Sequence, residues 1–110
     1  MAIRAEKRPL RCLRRDSTDT PVAIGGTVDS YGAPCYGWGV VNVQMLLTQA
    51  GTLVIYQRLR ASSTWIAVAT YALAAAGSVS DVVPVTGEQV RALFTNGGVQ
   101  QSPEILVSLA

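Results

Sequence analysis

Hydrophobic and polar positions alternate through the middle of the chain. Val41, Val43, Met45 and Leu47 fall on one face, with Asn42, Gln44 and Thr48 on the other, the two-residue period of a half-buried strand. Residues 52–60 continue the pattern, with Leu53, Ile55 and Leu59 inward and Val54, Tyr56, Arg58 and Arg60 outward; Gln57 is a polar exception on the inward face. Gln49, Ala50 and Gly51 predict a turn between them, so the two segments are expected to pair as a hairpin. After a small polar turn at 61–64, Trp65, Ala67, Ala69 and Tyr71 alternate with Ile66, Val68 and Thr70, so both faces are apolar. Trp, Ile, Val, Thr and Tyr suit a pleated surface and Gly77 would stop a helix, so the expectation is a central strand covered on both sides rather than an Ala-rich helix through Ala76.

Residues 79–85 predict a further strand, and Pro84 marks it as an edge or an irregular end. Residues 88–95 set Val90, Ala92 and Phe94 against Arg91, Leu93 and Thr95, and Asn96, Gly97 and Gly98 carry the positive-φ tolerance of a tight turn before a last strand at 104–109. That combination predicts a second hairpin. Upstream, 21–28 holds a short strand and 29–39 reads as a loop rich in Ser, Gly, Pro and Tyr. The sum is an all-β chain, a single β-sandwich of jelly-roll or immunoglobulin-like topology over residues 21–110.

Charge divides the chain differently. Six of its nine Lys and Arg residues (Arg4, Lys7, Arg8, Arg11, Arg14 and Arg15) lie in the first sixteen positions, leaving Arg58, Arg60 and Arg91 for the remainder. Residues 1–20 lack the apolar positions for a core and are expected to form an extended basic N-terminal arm that orders on a partner. Any electrostatic attraction belongs to that arm, whose six cations are the expected partner-binding residues. Only 15% of the chain is charged, against roughly a quarter in average usage, so part of the surface is expected to be covered by other subunits. The arm lacks the apolar segment of a secretory signal. No apolar stretch approaches the roughly 20 residues of a membrane span.

The chain contains no histidine, which removes the commonest general base and a frequent metal ligand. Cys12 and Cys35 have no Cys or His neighbours at zinc spacing and are read as free thiols; a disulfide tying arm to body is the alternative. Asp29, Asp81, Glu88 and Glu104 could pair as glycosidase carboxylates, but read more simply as solvated turn residues. No enzyme activity, cofactor or metal is expected. Tyr31, Tyr36 and Trp38 could offer a stacking platform to a sugar, or pack in the core or at an interface.

The succession Gly51-Thr52-Leu53-Val54-Ile55-Tyr56-Gln57, then Trp65, Tyr71-Ala72-Leu73-Ala74-Ala75-Ala76-Gly77 and Val90-Arg91-Ala92-Leu93-Phe94-Thr95-Asn96-Gly97-Gly98 resembles small β-sandwich proteins of tailed bacteriophage particles: capsid decoration or cement proteins, head spikes and tail-associated components. Ala61-Ser62-Ser63-Thr64 stands where that pattern carries an Asp-Gly turn before the Trp. The resemblance implies a non-enzymatic virion protein, assembled in the host cytoplasm. It would bind the major capsid protein or other virion proteins and associate with its own copies. Neither a membrane nor nucleic acid is the expected partner. Capsid decoration is the first reading, and a tail or head-spike component or a carbohydrate-binding sandwich is the alternative. Val54, Tyr56, Ile66 and Val68 join Tyr31, Tyr36 and Trp38 as expected interface positions.

Overall fold

The computed structural model describes residues 8–9 and 21–110. The arm residues Arg4, Lys7, Arg11, Arg14 and Arg15, and Cys12, lie outside the described residues, as does the side chain of Arg8. The described strands are β1 (Arg8–Pro9), β2 (Thr27–Asp29), β3 (Ala33–Pro34), β4 (Val40–Leu47), β5 (Gly51–Arg58), β6 (Ile66–Leu73), β7 (Gly77–Pro84), β8 (Gln89–Asn96) and β9 (Glu104–Leu109). They build two antiparallel sheets, one in the order β1-β9-β4-β7 and the other β2-β8-β5-β6, with β3 also beside β8.

The pairings nest. β1 meets β9, β2 and β3 meet β8, β4 meets β7 and β5 meets β6. The chain is thus a long double strand, turned back between β5 and β6, then rolled so that β4 also meets β9 and β5 meets β8. Rolling a double strand this way gives a jelly roll, the first of the two expected topologies.

The interior collects the positions that alternation set inward on β4, β5 and β8, joined by alternate residues of β9. Val41, Val43, Met45, Leu47, Leu53, Ile55, Val90, Ala92, Phe94, Ile105, Val107 and Leu109 are all buried between the sheets. Burying side chains of this kind contributes roughly 1.5–3 kcal/mol each, so this layer is the main stabilising contact between the sheets.

Neither expected hairpin forms. β4 pairs with β7 and β9, whereas β5 lies in the opposite sheet between β6 and β8. Residues 48–50 are therefore a corner between sheets. Alternation fixes which side chains face the core, and it is satisfied equally by a strand alongside and by a strand across the core. The same correction holds at residues 96–98, where the chain leaves β8 and crosses to β9. Gly97 and Gly98 do not use positive φ; Gly25 and Gly37 do, at 74° and 88°. Gly98 is needed for space instead, because a Cβ there would lie 2.9 Å from Cβ of Gln49.

β6 is an edge strand, not a central one, with Ile66 and Val68 exposed. Its second apolar face lacks the covering layer that two-sided hydrophobicity suggested. Leu59 is 64% exposed, because β5 ends at Arg58 and the inward period ends with it. β7 is the edge strand of its sheet and stops at Pro84, as expected from the missing donor.

Gln57 is buried, and both ends of its amide are hydrogen-bonded. Its Nε2 donates to Pro84 O at 2.8 Å, while Oε1 accepts from the N–H groups of Thr86 at 2.7 Å and Gly87 at 3.1 Å. One amide thus fastens β5 to the loop between β7 and β8. Cys35 is a free, fully buried thiol whose Sγ donates to Gly87 O at 3.4 Å. Burial raises its pKa, the backbone hydrogen bond partly opposes this, and Glu88 adds a smaller upward push.

Candidate interaction surface

Arg58 and Arg91 occupy outward positions on the neighbouring strands β5 and β8, and Arg91 lies directly opposite Tyr56 in the register. The outer face of the β2-β8-β5-β6 sheet is organised around these two guanidinium groups.

Arg91 grips Asp29 on β2 with two prongs: Nη2 to Oδ2 at 2.5 Å and Nε to Oδ1 at 3.0 Å. Such bidentate charge-assisted bonds fix orientation as well as adding energy. This bonding holds the pKa of Arg91 above its ordinary value, against the opposing effect of partial burial. Asp29 Oδ1 also accepts the N–H of Tyr31 at 2.7 Å. That bond helps hold Tyr31 at φ 57°, in the left-handed region that non-glycine residues seldom occupy. The Tyr31 ring remains 61% exposed. Ser30 completes the turn, its Oγ accepting from Ala92 N–H at 2.8 Å and donating to Tyr31 O at 3.0 Å.

The guanidinium of Arg91 lies 5.9 Å from the Tyr56 ring centre, and that of Arg58 lies 4.1 Å from the Trp65 ring, both within cation–π range. Arg58 Nε donates to Gln89 Oε1 at 2.8 Å, and among the described residues the Arg58 guanidinium has no acidic partner. Gly32 closes the cluster: a Cβ there would sit 3.0 Å from the Trp65 ring, so a larger residue would require the indole to shift by a few tenths of an ångström. Beside Arg58, a cleft of about 150 Å³ is lined by Leu59, Ile66, Val68 and Thr86. Chemically this is a face for association, offering flat apolar rings, a fixed ion pair and a cation that makes no salt bridge among the described residues.

A second feature closes the open side of the sandwich. Tyr71 on β6 donates its hydroxyl to Asp81 Oδ2 on β7 at 2.7 Å, joining the edge strands of the two sheets. Burial, then the bond to Asp81 and its charge, push the Tyr71 pKa up to about 12. The hydroxyl and a backbone hydrogen bond from Val82 hold the Asp81 pKa below its ordinary value.

The predicted interface residues separate. Val54 and Tyr56 are half-buried on the outer face of β5, and Ile66 and Val68 are exposed on the adjoining edge strand. Tyr36 is 80% exposed, but Trp38 packs against the core, so Tyr31, Tyr36 and Trp38 do not present one stacking face. Asp81 lies within β7 rather than in a loop, and Asp29 is engaged by Arg91. The described Asp, Glu, Cys and His residues form no group of three able to hold a metal. Arg58 was expected to face outward and Arg91 to lie opposite the inward face, but their convergence with Trp65 on one surface was missed, because it depends on β5 and β8 being neighbours, which requires the rolled topology.

The fold and its edges define a jelly-roll sandwich with an aromatic and arginine-bearing outer face. No family model matches the chain, and no curated protein matches it. Among solved structures it is similar to PBSX exported protein XepA, with a TM-score of 0.75 and 19% identity, over 96% of this chain and 37% of that one. The chain therefore spans little more than a third of XepA's length. At that identity the likeness establishes the fold.

Proposed function

We propose that the chain is a non-enzymatic structural protein of a bacteriophage particle, and specifically a decoration or cement protein that adheres to the capsid surface. The carrying observation is the sequence resemblance to phage β-sandwich proteins, beside which stands the fold likeness to PBSX exported protein XepA. A rigid sandwich with a low share of charge and a ready-made association face suits a subunit repeated over a symmetric lattice. There the basic arm residues Arg4, Lys7, Arg8, Arg11, Arg14 and Arg15 add weak contacts that become avid when many copies act together. The site of action is then the virion, and the partners are the capsid protein and further copies of the chain.

The test is co-sedimentation of the full chain with purified shells of the source particle. Binding is expected, and replacing the six arm cations with Gln should weaken it at least tenfold. Binding to tails instead of shells would move the protein to the tail. A second reading, a carbohydrate-binding sandwich, draws on Trp65, Arg58, Tyr56 and Arg91 rather than on Tyr31, Tyr36 and Trp38. It predicts saturable glycan binding and no affinity for either particle part.

A further inference from the structure

The sheet edges are not guarded alike. An edge strand exposes unpaired N–H and C=O groups, and proteins blunt such edges by shortness, Pro or an inward-pointing charge. β1, β2 and β3 are two, three and two residues long. β7 is long, but it ends in Pro84 and carries Asp81 opposite the inward Val43. β6 runs for eight residues with no Pro, Lys, Arg, Asp or Glu. Its sole irregularity is a register shift opposite Ile55 and Tyr56, which leaves the paired stretch from Ala69 to Leu73 regular.

We propose that β6 pairs antiparallel with β6 of a second copy about a twofold axis normal to the sheet, joining the two β2-β8-β5-β6 sheets into one. The choice of a second copy follows from charge: self-pairing about an axis within the 69–73 stretch sets residue i against j and j against i, with Thr70 close to its own copy, so an edge of one charge sign would repel itself, and β6 carries no charge. Tyr71 and Leu73 already pack toward the core, so the edge is held in strand form before it meets a partner. Thr70 and Ala72 lie exposed along the regular stretch. This inference rests on the self-associating part of the proposed function and names its surface.

The experiment is light scattering of the full 11.6 kDa chain across a concentration series, with T70K and T70E alone and mixed, and circular dichroism to verify folding. The wild type is expected at twice the chain mass, with each variant folded and its dissociation constant raised at least tenfold. The equimolar mixture should recover the dimer, because opposite charges then meet. A wild-type monomer at every concentration would overturn both the pairing and the self-association behind it. An oligomer that T70K and T70E leave intact would overturn the β6 pairing alone, as would variants that dissociate without recovery on mixing.

Discussion

Gln101 donates from Nε2 to Oδ1 of Asn96 at 2.7 Å in the buried space between the two sheets. Around that bond four segments are tied together. Gln101 Oε1 accepts the N–H groups of Thr48 and Gln49, and its Nε2 also donates to Ala50 O, while Asn96 Nδ2 donates to Val22 O and Val99 O. The corner from β4 to β5 and the crossing from β8 to β9 are thus held by one amide pair. These are the two places where a hairpin was expected and the chain changes sheets instead.

Asn96→Ala and Gln101→Leu are each expected to destabilise the fold by about 2–4 kcal/mol, since removing one partner leaves buried backbone groups unsatisfied at roughly 1–3 kcal/mol apiece. Urea unfolding measures this. The double variant should lose less than the sum, because the two side chains belong to one network. Full additivity would mean that the corners are held independently.

The link between Tyr71 and Asp81 makes stability depend on pH at both extremes. The Tyr71 pKa is raised to about 12 from 10.0, so its contribution is complete below pH 10 and disappears as pH rises toward 12. The Asp81 pKa is lowered from 3.8, so its contribution is present above that value and disappears as pH falls through the lowered pKa. Tyr71→Phe should flatten both limbs in urea midpoints measured across pH. Unchanged limbs would assign them to other groups.

On the outer face, Arg91→Lys keeps the charge but loses the two-pronged grip on Asp29. It should loosen the Tyr31 turn, speeding amide exchange at Tyr31 while the core strands keep their protection. Arg58→Ala, by contrast, should change tryptophan emission through Trp65 with little effect on the urea midpoint, because exposed cation–π pairs contribute only about 0.5–1 kcal/mol.

Cys35 should resist alkylation in the folded chain and react once the protein is unfolded, since it is fully buried and its pKa is raised. A Cys12→Ser background isolates the signal. Rapid native labelling would place Cys35 at the surface.

What the sequence made legible was orientation rather than neighbourhood. The alternation of Val41 to Leu47 and of Val90 to Phe94 placed the core side chains, and Gln57 was recognised as a buried polar exception. The pairing of β4 with β9 and of β5 with β8 joins residues far apart in the chain, and no local period encodes it. Arg58 and Arg91 therefore came to share a surface, and β6 an edge, only once the strands were rolled. The amides of Asn96 and Gln101 carried no signal of their own, because their partners are each other and backbone groups that come mostly from distant segments.

As a component of a phage particle, the chain should copurify with intact particles. Quantitative mass spectrometry of purified particles, with antibody labelling by electron microscopy, tests it most directly. The chain is expected at a fixed ratio to the major capsid protein, with label over the head. Particles free of the chain, with the protein recovered only outside them, would contradict it.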